Sequence, residues 1–335
     1  MSDSTIIRGS AAPAAARGQS PHGAAVAGLG TAIPTIVVDN ATVAEQIGKD
    51  VEWIVSRTGI HERRVLGPGE QLAPLATQAA QAALDDAGMS AGEIDMVIVA
   101  TCSPDDLLPA TAVTVAGLLG AGRAVGLDVN AACTGFLSGL QLGSSVLEAG
   151  RAEAVLVIGA EHLSKLIDPT DKQTAMLFAD GAGATVLTRT TGPGELGPVV
   201  LRSEPQRDFL YASHADCTVR MQGQEVFKHA VARMSEATQQ AVAAAQTTLD
   251  EIDLFVYHQA NSRIVASVGR RLGLDPERVV DCIAGYGNVS AASLPIALAY
   301  ARDEGRLPDG ARVLVSAFGA GFVWGAAVLD WRATA

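Results

Sequence analysis

Two stretches of the sequence, Glu93-Ile-Asp-Met-Val-Ile-Val-Ala100 and Glu251-Ile-Asp-Leu-Phe-Val-Tyr257, follow the same plan. Each begins with Glu-Ile-Asp and continues as an apolar run that is typical of a buried strand. Each is preceded by an Ala-rich segment that favours a helix. The two regions, Leu75–Thr101 and Arg233–Ala260, therefore predict one helix–strand unit in each half of the chain.

A second repeated unit follows each of these regions. It consists of an apolar strand, a turn of small residues, a helix and another strand. In the first half the predicted strand, helix and strand are Val125–Val129, Cys133–Glu148 and Ala154–Ile158, and in the second half they are Arg278–Asp281, Ser290–Asp303 and Arg312–Ser316. We also expect each half to close with an apolar hairpin, Met176–Thr188 around Gly181-Ala182-Gly183 and Val315–Leu329 around Gly319-Ala320-Gly321.

Strands that alternate with helices indicate an α/β fold with mostly parallel sheets buried on both faces. Because the units occur twice, we expect two similar halves packed back to back. A cluster of Gly and Pro near Thr190–Pro198 marks the break between them. The predicted organisation is a disordered tail over residues 1–21, a first half over residues 22–192 and a second half over residues 193–335.

The charge balance limits the partners of the chain. Its 24 Lys and Arg against 36 Asp and Glu give a formal net charge of −12 at pH 7. Such a chain repels nucleic acids and anionic lipids overall, so we expect neither nucleic acid nor membrane as a partner. No apolar segment has the length and composition of a transmembrane helix, and residues 1–21 lack the apolar core of a secretory signal. We therefore expect a cytoplasmic protein.

Cys133 is the candidate nucleophile. It lies in Asp128-Val-Asn-Ala-Ala-Cys-Thr-Gly-Phe136, where a predicted strand is followed by a predicted helix. The N-terminus of a helix presents free N–H groups and a partial positive charge, which favour the thiolate that attacks acyl groups. A cysteine that serves only packing could occupy the same position. The four cysteines include no C-x-x-C pair, so we expect neither a metal site nor a disulfide framework.

His258 and Asn288 are candidate hydrogen-bond donors. His258 follows directly after a predicted strand, and Asn288 lies in a Gly-flanked turn. Aligning Gly150 with Gly305 gives an offset of 155 residues, and the same offset places Asn288 opposite Cys133. Singly, the histidine could belong to the core and the asparagine to the turn. Together, at the carboxyl ends of strands, they predict a nucleophile and two donors that face one volume.

These segments belong to a longer series of matches between Ala24 and Leu329. In chain order they are Trp53–Ile60, Asp128–Phe136, Asp168–Asp171, Phe178–Gly183, Gly223–Lys228, His258–Asn261, Gly287–Ser293 and Ala317–Gly325. In them the chain resembles β-ketoacyl-acyl-carrier-protein synthase III, a family of condensing enzymes. The resemblance implies a thiolase-like fold, with two pseudo-duplicated αβαβα halves packed as five layers. It also implies an acyltransferase that needs no cofactor or metal besides its acyl-CoA substrate.

The resemblance implies a role for each candidate residue. Cys133 attacks an acyl-CoA thioester and holds the acyl group. His258 and Asn288 then hydrogen-bond the thioester oxygen of a malonyl unit on acyl carrier protein, and they stabilise the enolate that forms as carbon dioxide leaves. The enolate attacks the acyl-Cys133 carbonyl and releases a β-ketoacyl product, which initiates a fatty-acid or polyketide chain.

An oxyanion hole for acylation is implied at the closing turn. It would be formed by the backbone N–H groups of Cys133 and of the turn Gly319-Ala320-Gly321. The family often has Gly where this chain has Ala320, so the hole requires that Ala tolerate the backbone angles there. We also expect Phe318 to pack beside Cys133.

The family's CoA contacts carry over to Trp53, Arg57, Lys172, Gly223 and Asn261. Trp53 and Arg57 lie one helical turn apart, and in the family such a pair sandwiches the adenine ring. A partly buried Trp beside a surface Arg is the alternative. Lys172 stands where the family commonly has Arg, and would meet a CoA phosphate less rigidly.

Gln224 departs from the family pattern, and Asn261 has a second implied role. Gln224 stands beside Gly223 where Asn is expected, which weakens the case for a pantetheine contact there. Asn261 would also support His258 and the malonyl carbonyl through water.

A basic patch is expected to bind the acidic carrier protein. Arg263 and Arg270 are seven residues apart on one predicted helix face, and Arg271, Lys228 and Arg233 could join them. A solvated helix face is the alternative.

The segment Asp105–Pro109 aligns with one that reaches across a homodimer to close the acyl pocket, so we expect a homodimer. Leu108 stands where the family often has Phe. A smaller gate there would admit longer or branched acyl groups.

Related activities fit less well. An elongating ketosynthase pairs its Cys with two His, a thiolase carries a second Cys near its C-terminus, and a hydroxymethylglutaryl synthase needs a Glu base that the Cys133 motif does not show. The alternative left open is an acyltransferase or priming ketosynthase of a polyketide pathway, which moves the acyl group from Cys133 to a non-malonyl acceptor. A non-catalytic subunit of a condensing heterodimer is disfavoured, because the chain keeps all three candidate residues.

Overall fold

The computed structural model describes residues 22–191 and 195–331. The predicted tail at residues 1–21 and the predicted boundary between residues 192 and 193 lie outside the described residues. The strands are β1 His22–Ala32, β2 Ile36–Asp39, β3 Glu62–Val65, β4 Met96–Ala100, β5 Val125–Val129, β6 Ala154–His162, β7 Asp180–Thr191, β8 Val200–Gln206, β9 Leu210–Ala212, β10 Val219–Met221, β11 Leu254–Tyr257, β12 Arg312–Gly319 and β13 Gly321–Asp330.

The α-helices are α1 Asn40–Ile47, α2 Val51–Thr58, α3 Leu72–Ala87, α4 Thr111–Leu119, α5 Gly135–Glu148, α6 Gly223–Ala244, α7 Ser262–Leu272, α8 Ile283–Tyr286 and α9 Ser293–Asp303. Short 3-10 turns occur at Ala91–Glu93, Ala132–Thr134, Ser164–Leu166, Leu249–Glu251, Pro276–Arg278 and Ser290–Ala292.

Two mixed sheets form the framework. The first has the order β1-β7-β6-β4-β5 and the second the order β11-β12-β13-β8. Strand β4 is parallel to both of its neighbours, and β11 is parallel to β12, but the other pairs in these sheets are antiparallel. The expectation of mostly parallel sheets is therefore wrong. The reason is that β7 and β13 follow β6 and β12 without a crossover helix, and such connections join antiparallel strands.

Helices separate and cover the two sheets. Helices α5 and α9 share one apolar core with strands of both sheets, so they form the central layer. Helices α3 and α4 pack on the outer face of the first sheet, and α6 and α7 on the outer face of the second. The result is the predicted five-layer thiolase-like fold, and each sheet has both faces buried.

The first repeated unit is confirmed in detail. Strands β4 and β11 have the predicted bounds. Ser90 and Thr248 each form a capping box with a Glu three residues later. The same 3-10 turn therefore leads into the strand in both halves. Asp95 and Asp253 each accept a hydrogen bond at 2.7 Å from a backbone N–H where the neighbouring strand begins, from Glu153 just before β6 and from Arg312 at the start of β12. The Glu-Ile-Asp sequence therefore performs the same structural task twice.

Two predicted elements differ from the structure. Arg278–Asp281 forms no strand, although Val279 makes one isolated parallel bridge to Phe255. A 3-10 turn occupies Pro276–Arg278, so the predicted strand does not begin at Arg278, and beyond this turn the Val280 N–H donates to the Phe255 carbonyl of β11 at 2.9 Å. The hairpin predicted at Met176–Thr188 is also wrong. Its glycines lie inside β7 and do not turn the chain. They allow α9 to pack closely on this strand, because a Cβ on Gly183 would lie 2.8 Å from Pro295.

The equivalence predicted between Cys133 and Asn288 is wrong by three residues. The 3-10 turns that precede α5 and α9 open with Ala132 and Ser290, whose φ angles are 46° and 45°. Asn288 is therefore equivalent to Asn130. In both, the side-chain oxygen accepts a hydrogen bond from the backbone N–H of the residue two positions further on. The shift arises because α5 has 14 residues and α9 has 11.

The turn at Ser290–Ala292 packs directly on β6, and this contact can be tested. A Cβ added to Gly159 would lie 2.4 Å from the Ala291 carbonyl oxygen. We expect Gly159→Ala to lower the free energy of unfolding in urea by about 3 kcal/mol, because the backbone must shift to relieve the clash. Gly92→Ala is the matched control, since a Cβ there meets nothing within 4 Å, and it should change stability by less than about 1 kcal/mol. Equal stabilities would contradict the close packing.

Candidate active site

One cavity of about 590 Å³ brings together Cys133, His258 and Asn288. Phe318 lines the same cavity beside them, as expected. Cys133, His258 and Asn288 are only 8%, 1% and 5% exposed, so their chemistry takes place away from bulk water. The cavity continues to the surface past residues that the sequence singled out for CoA and carrier-protein contacts, namely Trp53, Arg57, Lys172, Gly223, Gln224, Lys228, Asn261 and Arg263.

Backbone contacts fix the position of each of the three side chains. Cys133 lies in the 3-10 turn between β5 and α5. His258 directly follows β11, and its N–H donates to the Ser316 carbonyl of β12 at 2.8 Å. Asn288 crosses to the first half of the fold: its N–H donates to the Leu177 carbonyl at 2.8 Å, and its own carbonyl accepts from Ala179 at 2.9 Å. The three residues are therefore held by elements of both halves.

The carboxamide of Asn288 is oriented by its own turn. Its Oδ1 accepts a hydrogen bond from the Ser290 N–H at 2.9 Å. The amide NH₂ of Asn288 is consequently the group left to donate into the cavity.

His258 is held as a neutral imidazole. Burial lowers the pKa of His258 to about 3, because the charged form loses its hydration without gaining a counter-charge. Its Nδ1 is buried and has no hydrogen-bond partner in the part of the chain that the structure describes. A neutral imidazole can donate one hydrogen bond, but it is a poor acceptor for a further proton at neutral pH.

The thiol of Cys133 is protonated in the resting structure. Burial raises the pKa of Cys133 to about 11; the Ser290 hydroxyl lowers it and the nearby Glu161 carboxyl raises it. The sequence predicted a thiolate favoured by the helix N-terminus, and burial outweighs that effect here. The thiol must therefore lose its proton before it attacks a substrate.

The turn between β12 and β13 lies against Cys133. A Cβ on Gly319 would be 2.8 Å from the Cys133 backbone nitrogen, so only Gly allows this approach. The φ angle of Ala320 is not positive. The backbone angles therefore tolerate Ala at this position without the strain that a positive φ would cause. The cavity wall includes Phe318 but neither Gly319 nor Ala320.

Trp53 and Arg57 lie at the outer end of the cavity and touch each other. The Arg57 guanidinium carbon is 4.6 Å from the centre of the Trp53 ring, and the Lys49 ammonium is 5.6 Å from the same ring. A planar ring inserted between Trp53 and Arg57 needs a gap of about 7 Å, twice the contact distance of two carbon atoms. Arg57 must therefore swing away before the predicted adenine sandwich can form.

Asn261 makes two direct hydrogen bonds at the cavity mouth, and its predicted support of His258 through water stays a prediction. Its Nδ2 donates to the Arg57 carbonyl at 2.9 Å, and its Oδ1 accepts from the Arg263 N–H at 2.8 Å, where it caps α7. Its hydrogen bonds therefore hold the two helices at the cavity mouth and do not reach His258.

The predicted basic patch is smaller than expected. Arg263 and Lys228 are exposed and line the cavity mouth, and Lys228 also pairs with Glu225 at 2.8 Å. Arg270 and Arg271 are exposed on α7 but do not line the cavity. The Arg233 guanidinium pairs with two carboxylates at 2.6 and 3.1 Å and covers Trp324, so its charge is largely compensated.

Leu108 does not line the cavity of its own chain. It is 86% exposed, and its neighbour Leu107 is 83% exposed. The expected contact with an acyl pocket would therefore require a second copy of the chain.

Sequence reasoning missed Glu161, which lies at the end of β6 and is completely buried. Its carboxyl group accepts hydrogen bonds from the Ser103 hydroxyl at 2.5 Å and from the Cys102 N–H at 3.1 Å. The local motif around Cys133 contains no Glu, but the fold brings this one close to it. The available signal was an acidic residue directly after the apolar run Ala154–Ala160.

The structure describes residues 22–191 and 195–331. Within these ranges no three or more His, Cys, Asp and Glu side chains are grouped so as to hold a metal ion. Nor does any helix in them combine the length and the apolar character needed to cross a membrane.

Comparisons with known proteins define the family. The model for 3-oxoacyl-[acyl-carrier-protein] synthase III matches residues 127–205, and the model for its C-terminal part matches residues 242–331. The β-ketoacyl-[acyl-carrier-protein] synthase III of Agrobacterium fabrum is 42% identical over 91% of this chain and 98% of its own length. The chain therefore belongs to the β-ketoacyl-[acyl-carrier-protein] synthase III family, and it is an acyltransferase of that family.

Solved structures agree in fold. The crystal structure of 3-oxoacyl-[acyl-carrier-protein] synthase III from Aquifex aeolicus has a TM-score of 0.89 and 38% identity, and the match covers 92% of this chain and all of that one. The priming β-ketosynthase from the R1128 polyketide biosynthetic pathway has a TM-score of 0.90 and 33% identity, over 95% of this chain and 99% of that one.

Proposed function

We propose that the protein joins an acyl-CoA starter to malonyl-acyl carrier protein by decarboxylative Claisen condensation. The observation that carries the proposal is the meeting of a thiol, a neutral imidazole and an oriented carboxamide in one cavity, at Cys133, His258 and Asn288. The family relationship supports the same reaction. A cavity that reaches the surface between Trp53 and Lys228 suits a substrate delivered on a long pantetheine arm.

The first half-reaction is acylation of Cys133. The thiolate attacks the thioester carbonyl, CoA leaves, and the acyl group stays on the sulfur. We assign the tetrahedral oxyanion to the Cys133 and Ala320 N–H groups, because the Gly319 backbone holds that turn against Cys133.

The second half-reaction is decarboxylation and carbon–carbon bond formation. As carbon dioxide leaves the malonyl unit, negative charge develops on its thioester oxygen. We assign the stabilisation of that oxygen to His258 and to the Asn288 NH₂, which are donors that need no charge of their own. Because the site excludes water, the enolate attacks the acyl-Cys133 carbonyl rather than being protonated.

Intact-mass spectrometry and carbon dioxide release test the two half-reactions separately. We expect an acyl adduct on the wild-type chain after exposure to acyl-CoA and none on Cys133→Ala. His258→Ala and Asn288→Ala should still form the adduct, but each should release carbon dioxide from malonyl-acyl carrier protein about 100- to 1000-fold more slowly, since each removes one oxyanion donor. Acyl transfer to another acceptor without carbon dioxide release would favour the plain acyltransferase.

The same adduct measurement addresses the starter group when a panel of acyl-CoAs is used. We propose that the segment carrying Leu108 closes the acyl pocket of a partner copy and that its small gate admits medium-chain or branched groups. Strict preference for acetyl-CoA would refute this specificity.

A priming role in a polyketide pathway is the second candidate function, supported by the likeness to the R1128 ketosynthase.

We propose that the chain forms a homodimer through the edge of its first sheet. Among the strands of residues 22–191 and 195–331, β5 pairs only with β4, so its other edge has no strand partner within these ranges. Apolar side chains around this edge are 45–58% exposed, on β5 itself and on α4 and α5: Val113, Leu118, Val125 and Leu142. A second copy placed there would cover them and bring the exposed Leu108 to its partner.

Light scattering after gel filtration tests this interface. Wild type should have the mass of two chains, and Val125→Lys should have the mass of one, because the charge cannot be buried in an apolar contact. Val51→Lys is the control, since Val51 is 42% exposed on α2, away from β5, and should remain a dimer. A monomeric wild-type chain would contradict the proposal.

We propose that Lys228 and Arg263 at the cavity mouth guide the acidic carrier protein to a chain whose net charge is −12. Lys228→Glu should raise the KM for malonyl-acyl carrier protein about tenfold, while the rate of Cys133 acylation by acyl-CoA stays near that of wild type. Arg151→Glu is the control, because Arg151 is exposed before the amino end of β6, opposite the site. Equal KM values in all three proteins would refute the docking surface.

A cytoplasmic location stays a prediction from the sequence.

A further inference from the structure

A buried guanidinium lies near Asn288 and has no part in the reaction as described above. Arg63 on β3 is 2% exposed. Its Nη1 and Nη2 both donate to Asn40 Oδ1 at 3.0 Å, and Nη2 also donates to the Met176 carbonyl at 2.8 Å. Asn40 is 3% exposed, and its Nδ2 donates to the Ile60 carbonyl at 2.7 Å. The guanidinium is therefore held in one orientation, bound to the backbone of a residue that lines the cavity.

The charge of Arg63 is costly to bury. The acceptors of its hydrogen bonds are neutral oxygens, and the nearby Asp39 carboxylate is exposed. Burial accordingly lowers the pKa of Arg63 to about 10, and Asp39 opposes part of this shift. Neutral acceptors replace only part of the hydration that a cation loses on burial. A charged side chain at this position therefore indicates a task beyond filling space.

The carbonyl that Arg63 holds is next in the chain to the one that holds Asn288. The Asn288 N–H donates to the Leu177 carbonyl at 2.8 Å, and the Ala179 N–H donates to the Asn288 carbonyl at 2.9 Å. The peptide unit between Met176 and Leu177 is planar, so a fixed Met176 carbonyl limits the rotation of the whole unit. Arg63 thus restrains the short segment with which Asn288 is paired.

Gly287 gives a second contact between Arg63 and the backbone of Asn288. Its φ of 71° and ψ of −168° are angles that only glycine adopts readily. A Cβ on Gly287 would lie 3.1 Å from the Leu177 carbonyl oxygen and 3.2 Å from the Arg63 Cβ. Arg63 and the segment that it holds therefore enclose this part of the chain from two sides, which leaves the Asn288 backbone little room to move.

The direction of the Asn288 carboxamide follows from the position of its backbone. The Ser290 N–H holds the Asn288 Oδ1 within one turn, so the side chain is fixed relative to its own backbone. A displacement of that backbone consequently moves the amide NH₂ by a similar distance. An oxyanion donor tolerates little displacement, because its effect depends on the distance to the developing charge.

We propose that Arg63 is a positioning residue for Asn288. Its guanidinium holds the Met176 carbonyl, the next carbonyl holds the Asn288 N–H, and the carboxamide is thereby directed at the thioester oxygen of the malonyl unit. This role rests on the proposed function, since it concerns decarboxylation and not the acylation of Cys133. Arg63 does not line the cavity and acts on the substrate only through Asn288.

The two half-reactions of Arg63 variants test this role. Arg63→Met removes the donors at similar length. It should slow carbon dioxide release from malonyl-acyl carrier protein about 30-fold, because a shift of about 1 Å at a reacting group costs up to about 100-fold. Acyl adduct formation on Cys133 should stay within about threefold of wild type. Arg63→Lys should recover part of the lost rate, since an ammonium still donates to the Met176 carbonyl but lacks the planar fork, and it carries the test should Arg63→Met not fold.

A double-mutant cycle separates positioning from a general loss of structure. If Arg63 acts through Asn288, the same change at Arg63 should cost no further rate in the Asn288→Ala background. A loss of equal size in both backgrounds, or an equal loss in acylation, would overturn the proposal.

Arg306→Met is the matched control. The Arg306 guanidinium also donates to a backbone carbonyl, that of Glu277 at 2.7 Å, but it lies beyond the end of α9 that is remote from Asn288. This variant should keep wild-type rates in both half-reactions, and a loss like that of Arg63→Met would refute a specific role for Arg63.

Hydrogen exchange with residue resolution, measured on the full chain, tests the geometry without any substrate. The Asn288 N–H should exchange at least about tenfold faster in Arg63→Met than in wild type and Arg306→Met, while the N–H groups of β6 keep their protection. Unchanged exchange at Asn288, or faster exchange throughout β6 as well, would contradict the proposed positioning. Faster exchange at Asn288 alone, in a chain that releases no carbon dioxide, would retain the positioning of Asn288 by Arg63 and remove the proposed function.

Discussion

The contact between two 3-10 turns, Ala132–Thr134 and Ser290–Ala292, is the constraint on which the site depends. The turns meet in the central layer, and glycines let them approach the sheets: a Cβ on Gly159 would clash with one turn and a Cβ on Gly319 with the other. This contact buries the thiol. Burial favours the neutral form of both His258 and Cys133, so packing sets the protonation state of both residues.

Much of the fold was readable because it repeats. The bounds of the Glu-Ile-Asp strands are predictable, since an apolar run after a repeated polar start is a local signal. The glycines of β7 were misread as a turn, because a Gly that admits a packed helix and a Gly that turns the chain look alike in sequence. The strand predicted from Arg278 is absent because the 3-10 turn Pro276–Arg278 takes its first residue and Val279 makes only an isolated bridge to β11.

The candidate site could be predicted as far as its residues follow strands. Cys133, His258 and Asn288 were found in this way, although the shorter α9 placed Asn288 opposite Asn130 instead of Cys133. Glu161 was missed because its neighbours, Cys102 and Ser103, are about 60 residues away in the chain and only the sheet brings them together. The place of Leu108 depends on a second copy, which a single chain does not contain.

In the proposed reaction, acyl-CoA enters past Trp53 and presents its thioester to Cys133 between His258 and Asn288. The most direct test is a crystal structure of the Cys133→Ala variant soaked with an acyl-CoA. The account predicts adenine beside Trp53 with Arg57 displaced, and a thioester carbonyl carbon about 3.5 Å from where the sulfur would lie. A CoA bound at another face of the molecule, with this cavity empty, would contradict it.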